Sequence, residues 1–267
     1  MPICSDPTIT YLKGLGFSVV RLPRPDMRPL QILSDHGGEL TNLGELETIM
    51  KSGPVGVPPL KLNLAGPTLA GEQASTLSIG LGLSVLGTVL GAMGAGKLGL
   101  DVAYKGASKV TFEFTDTQRD EVEIAALDKF FGAADVDPSA RGVMQLLEAD
   151  EIYVVNATIK SSKITVTSKD SSGTDVTLKV PEIKEIVGAN VSVSAAQDTS
   201  AKITYEGKIP LVFGFQAVRL FYEDGRYTSF EPLEAGAMAA RELKSSGLPD
   251  GAKALTRRAA MLRIGNT

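Results

Sequence analysis

The chain has 267 residues, 43% of them hydrophobic, enough to bury one large core or two small ones. Its formal net charge of −4, from 27 basic and 31 acidic residues, argues against a nucleic-acid-binding protein. A single cysteine and a single histidine exclude an internal disulfide framework and make a metal cage improbable.

The cysteine, Cys4, stands beside the first residue, where its value lies in packing, chemistry or a covalent attachment. His36, flanked by Asp35 and Gly37, reads as a loop residue, and nothing supplies an orienting third group for a Cys4–His36 nucleophilic pair. There is no Gly-x-Ser-x-Gly elbow, so the chain does not read as an enzyme. The first apolar residues are interrupted by Asp6, Lys13 and Arg21, unlike a signal peptide, and the expected location is the cytoplasm.

Residues 8–20 predict a short helix stopped by Gly14 and Gly16, then a strand. Pro23 and Pro25 force an extended stretch, and a basic cluster (Arg21, Arg24, Arg28, opposed by Asp26) lies here. A short strand is expected at 30–33, and a short helix at 42–51 with Leu43, Leu46, Ile49 and Met50 on one face.

From Ala74 to Gly96 no residue is charged. Leu77, Ile79, Leu81, Leu83 and Val85 alternate with Ser78, Gly80, Gly82 and Ser84, the period of a strand and near the ~9–11 residues with which a tilted strand crosses a bilayer. The alternation resumes at Leu98, Leu100, Val102 and Tyr104, and again at Val110, Phe112 and Phe114. This is a candidate membrane hairpin. For the resting protein the favoured expectation is an ordinary soluble hairpin, or a buried glycine-rich helix packed closely through Gly87 and Gly91. Gly91 to Lys97 also fits the G-x-x-x-x-G-K part of a P-loop, but Leu98 stands where the magnesium-binding Ser or Thr belongs.

Helices are expected at 120–131 and 138–149, then strands at 152–159, 164–167 and 176–180, the last two joined by a turn at 170–173. A third alternating run, Val187, Ala189, Val191, Val193 and Ala195, is answered by Ala201, Ile203 and Tyr205. Strands with one face of small polar residues hold register weakly, which suits a segment that must re-pair. An apolar run at 209–222 precedes a turn at Asp224-Gly225, a short strand at 227–230 and a helix from Pro232 to Lys244. Residues 245–251 form a polar, flexible linker of the kind proteases cut, and 252–267 a basic tail with Leu255, Ala259 and Leu262 on one face. The expected class is α+β: a twisted, mainly antiparallel central sheet with surrounding helices.

Cys4 to Lys13, Gly16 to Arg24 and Pro29 to Gln31 resemble the start of bacterial gasdermins, and the order of elements, the glycine-rich segment and the short tail agree over nearly the whole chain. The resemblance implies a pore-forming domain resembling the gasdermin N-terminal domain over 1–244, a protease-sensitive linker over 245–251, and an autoinhibitory peptide over 252–267. It implies a cytoplasmic monomer of anti-phage defence, cut by a caspase-like or related protease, whose freed body inserts two β-hairpins per subunit into the bacterial inner membrane as a large homo-oligomeric ring. It also implies palmitate on Cys4 and no other cofactor. The cut is expected among Gly247, Leu248, Pro249, Asp250 and Gly251; a bond leading into proline is resisted by most proteases, so Asp250-Gly251 is the preferred bond for an aspartate-directed enzyme. Arg21, Arg24 and Arg28 are candidate contacts to anionic lipid. The competing reading is a soluble α+β binding or scaffold domain without membrane activity.

Overall fold

The computed structural model describes residues 7–36, 39–51, 53–71, 74–95, 99–137, 139–233 and 265–266. Helix α1 (Pro7–Gly14) ends as expected at glycine, and Gly16 turns the chain at φ +80° into β1 (Ser18–Arg24). Strands β2 (Gln31–His36) and β3 (Glu39–Glu45) form an antiparallel pair. The helix expected at 42–51 shrinks to α2 (Leu46–Ile49), because Asn42 to Glu45 is spent on pairing with β2; β4 (Met50–Lys51) follows it. Then come β5 (Leu60–Ala65), β6 (Ser75–Ser78), the fourteen-residue α3 (Ile79–Ala92), and α4 (Leu100–Ala103).

After β7 (Lys109–Thr115), residues expected to open a helix at 120 instead complete β8 (Gln118–Val122). Asp120 is drawn into the sheet because its carboxylate accepts the Asn63 N–H at 2.8 Å and the Lys160 ammonium at 2.5 Å. The helix therefore starts later, as α5 (Ile124–Ala133), followed by β9 (Asp135–Val136) and α6 (Arg141–Glu148). Two long strands dominate what remains: β10 (Ile152–Lys169) absorbs both strands expected there. The turn at 170–173 forms, but its far side is only β11 (Leu178–Lys179), since Pro181 starts α7 (Val180–Val187). The chain continues through β12 (Ser192–Ser194), β13 (Thr199–Ser200), the 22-residue β14 (Lys202–Glu223) and β15 (Arg226–Pro232). Pro232 thus closes a strand; the helix expected beyond it lies outside the described residues. The two-residue β16 (Gly265–Asn266) is the last described element.

Among the described residues twelve strands join one sheet, antiparallel except where β16 runs parallel to β3. The pair β10–β14 is its spine. One end buries β10 and β14 under α5 and α6 around Leu127, Phe130, Phe131 and Val218. The other end buries the same two strands, with β7, under α3, α4 and α7 around Leu86, Phe112, Val166 and Tyr205.

Candidate functional site

At that second end, five strands lie side by side in the order β6, β7, β10, β14, β12. Residues directly opposite one another share a face, so the registers sort the side chains. Leu77 faces Val110; Phe112, Val166 and Ile203 form a second apolar row; Phe114, Ile164, Tyr205 and Val193 form a third. The opposite face carries Thr76, Thr111, Thr167 and Lys202 in one row and Glu113, Thr165, Thr204 and Ser194 in the next. Its hydroxyls bond across strands, Thr76 to Thr111 at 3.0 Å and Thr165 to Thr204 at 2.8 Å. Lys202 reaches Glu113 at 2.6 Å. Burial alone would raise the Glu113 pKa, but the Lys202 bond and the Gly71 N–H together outweigh it and hold this carboxyl below its usual value.

The apolar face is covered by helices, and glycine decides how close they come. A Cβ at Gly82 of α3 would lie 2.0 Å from Val110 Cγ2, so only glycine lets this turn rest on β7. Gly207 does the same from the sheet side: a Cβ there would come within 2.8 Å of Met93, just past the end of α3. Below α4, the buried hydroxyls of Tyr104 and Tyr205 meet at 2.7 Å. Burial pushes the Tyr205 phenol well above its ordinary pKa. The segments that follow α7 and α3 also meet, Asn190 Nδ2 donating to the Gly94 carbonyl at 2.9 Å, and Ile186 of α7 packs on Gly99 at the start of α4.

The segment expected as an inserting strand is therefore mostly helical at rest. Leu77 lies in β6, while Ile79, Leu81, Leu83 and Val85 lie in α3. Leu100 and Val102 belong to α4 and Val187 to α7; Val191 precedes β12, which holds Val193, and Ile203 is the second residue of β14. The parity of these residues is informative. Counting by twos from Leu77 on the apolar face leads to Ile79, Leu81, Leu83 and Val85; counting back from Val110 leads to Tyr104, Val102 and Leu100. Counting back from Ile203 leads to Val193, Val191 and Val187 in the same way. Rewound as strands, all three runs would extend the apolar face already formed. The links β6-to-β7 and β10-to-β14 both leave from the same end of the sheet, where Ser78, Lys109 and Lys169 stand in register.

Leu98 and Lys97 lie outside the described residues, as do Cys4, the linker residues Gly247, Leu248, Pro249, Asp250 and Gly251, and the tail residues Leu255, Ala259 and Leu262. Gly91 and Ala92 form the last turn of a helix, whereas a P-loop follows a strand, so the G-x-x-x-x-G-K match has the wrong setting. Arg24 sits against Asp26 at 2.5 Å and Arg28 against Glu45 at 2.9 Å, so both candidate lipid contacts are committed to carboxylates at rest. Arg21 lies in β1. Sequence reasoning missed the Glu113–Lys202 bridge and the Tyr104–Tyr205 pair; the phase of the alternation marked their faces but not their partners. Among the described residues no helix is long and apolar enough to cross a membrane, and no three His, Cys, Asp or Glu converge as metal ligands.

The chain matches the family described as the Bacterial Gasdermin Family over residues 20–226. A gasdermin of a Desulfuromonadales bacterium is 49% identical over 254 residues, covering 95% of this chain and 96% of that protein. A gasdermin of Lysobacter enzymogenes is 41% identical, covering 94% of this chain and 93% of its own length. Among solved structures, a bacterial gasdermin from Bradyrhizobium tropiciagri superposes with a TM-score of 0.58 at 18% identity, over 85% of this chain and 92% of that one. That likeness is one of fold.

Proposed function

This chain belongs to the bacterial gasdermin family, and from that premise we propose that it is a protease-activated pore former, closed by its own C-terminal residues. As a gasdermin it is a pore-forming effector and not an enzyme. The observation that carries the finer reading is the phase match: three alternating runs, now folded as helices or short strands, share the parity of one preformed apolar sheet face. Each link holds about 30 residues, so a hairpin arm of about 15 residues reaches roughly 50 Å and, tilted by about 45°, rises about 35 Å. A bilayer core is about 30 Å thick. An open strand edge inside lipid leaves backbone groups unpaired, so insertion requires closure with further copies into a homo-oligomeric ring.

Two further points support the reading. Gly265 and Asn266 add a parallel strand to β3 beside Thr41 and Asn42, a place where the tail ties down the sheet edge until it is cut free. An acyl chain on Cys4 would contribute on the order of 0.8 kcal/mol per buried methylene, stabilising the resting body or, once released, its hold on lipid. In this reading a caspase-like or related protease cuts within 245–251, the site of action is the bacterial inner membrane, and the outcome is death of a phage-infected cell.

The test is dye release from anionic vesicles by the full chain carrying a specific protease site in the linker. The uncut chain is expected to be silent, and cutting to start leakage together with a gain of sheet by circular dichroism. A cut chain that stays monomeric and leaves vesicles intact overturns the proposal and favours a scaffold domain.

A further inference from the structure

The two margins of the five-stranded patch carry strands of the same design. Strand β6 forms one margin along β7; β12 forms the other along β14, where Ser192, Val193 and Ser194 oppose Glu206, Tyr205 and Thr204. Each sets one apolar side chain between two small hydroxyls, Thr76-Leu77-Ser78 in β6 and Ser192-Val193-Ser194 in β12. Leu77 and Val193 both pack into the apolar core under α3, α4 and α7. Every pairing from β6 through β7, β10 and β14 to β12 is antiparallel, so β6 and β12 share one direction and both run opposite to β14. Strand β12 thus lies on the outer edge of β14 with the orientation and alternation that β6 would have there.

It cannot stay there once its link extends. At rest Val193 stands beside Tyr205, at the ~5 Å of a strand pair. In an arm that prolongs β14 backwards from Lys202, Val193 lies twelve residues before Tyr205 on the same strand, about 40 Å away. The two positions exclude one another, so extension bares the β14 edge. A bare strand edge is a template for another chain, and inside lipid its backbone groups must be paired.

We propose that the outer edge of β14 at residues 204–206 is the docking edge for β6 of a second copy, and that β12 guards it at rest by imitating that strand. The inference rests on the pore-forming reading and adds to it the contact by which copies join. With β12 gone, each copy presents β6, β7, β10 and β14 in alternating direction, and the next copy's β6 continues the antiparallel order. With β12 in place, two strands of like direction would meet at every junction. The guard is also tied to the other link, since Asn190, two residues before β12, donates to the Gly94 carbonyl just past α3. Release of β12 and unwinding of α3 are thereby coupled.

The test places cysteines on the polar face of full chains that carry the protease site in the linker, mixed in pairs on anionic vesicles and cut. One chain carries Thr204→Cys or Glu206→Cys on β14, the other Thr76→Cys or Ser78→Cys on β6, so that neighbouring registers are sampled. Oxidation is expected to give a cross-linked dimer after cutting and none before, with the wild type, whose one cysteine is Cys4, as control. A second variant, Ser192→Cys/Glu206→Cys, joins residues that stand opposite one another, within the Cα reach of a disulfide. Oxidised and cut, it should lose dye release, and reduction should restore it. Dimers formed instead between Ser194→Cys on β12 and Thr76→Cys on β6 mean that β12 stays in the wall, and overturn the inference. Leakage from the oxidised second variant, or leakage without any β6–β14 cross-link, also overturns it. A cut wild-type chain that leaves vesicles intact is instead a failure of the pore-forming reading itself.

Discussion

Helices α3 and α5 both lie on the same sheet, but their sequences stand in opposite relations to it. Helix α5 buries Leu127, Phe130 and Phe131 at three- and four-residue spacing, and no strand pattern competes. Helix α3 buries Gly82, Leu86, Val89 and Leu90 at helical spacing while Ile79, Leu81, Leu83 and Val85 keep the alternation of a strand. One segment is written for a single state and the other for two. Glycine at 80, 82, 87 and 91 deepens the contrast, since each weakens the helix by roughly 1 kcal/mol relative to alanine and leaves its stability to tertiary contact.

The contrast can be broken first at the α5 end. Phe131 is about 1% exposed, and Phe131→Ala should cost about 3–5 kcal/mol in chemical denaturation. The loss should be global, with no vesicle leakage from whatever fraction stays folded. Gly82→Val should cost less, about 2–3 kcal/mol, because the added methyls collide with Val110 and lift α3 from β7. Valine also favours strand over helix, so the uncut Gly82→Val chain is expected to leak anionic vesicles at matched folded fraction. If Phe131→Ala leaks and Gly82→Val does not, the two ends of the sheet do not differ as described.

A smaller effect sharpens the same comparison. Tyr205→Phe leaves the Tyr104 hydroxyl buried without its partner, at a cost of about 1–2 kcal/mol. Removing both hydroxyls, Tyr104→Phe/Tyr205→Phe, should recover most of that loss, because no orphaned polar group remains. Thermal denaturation of the two single variants and the double variant closes the cycle. Near-additive losses would show that the pair contributes through packing and not through its hydrogen bond.

The alternation of Leu77 to Val85, of Leu98 to Tyr104 and of Val187 to Ala195 was legible from residues alone, as were α1, α6, β15 and the Asp224 turn. The resting helix at 79–92 was not decided by sequence, because the segment satisfies both periods and its cover on β7 and β14 tips the balance. Strand β8 was hidden by its composition: Asp120 and Glu121 read as helix surface until Lys160 and Asn63 meet Asp120 across the sheet. Partners such as Lys109 with Lys169, or Gly265 with Thr41, depend on registers set over long separations, which no local pattern encodes.

The smallest predicted effect is a pH dependence confined to the polar face. Glu113 titrates below its unfolded value of about 4.5, because the Lys202 bond and the Gly71 N–H prevail over burial. A carboxyl whose folded pKa is depressed contributes stability that is fully present above the unfolded pKa. That contribution is lost as pH falls through the folded pKa. Between neutral pH and pH 5 the wild type and Glu113→Gln should therefore differ by a constant, modest amount, and below about 4.5 the difference should shrink. Lys202 is 60% exposed, so solvent screens the pair and the whole effect stays under about 1 kcal/mol. Urea midpoints of the two proteins from pH 7 to pH 3 measure it; curves that stay parallel to pH 3 would show that the rung contributes nothing through its charge. The bridge joins β7 to β14 across β10, tying together strands from both links, so its loss in acid should loosen the α3 end of the sheet before the α5 end, which hydrogen exchange at Val110 and Phe130 would resolve.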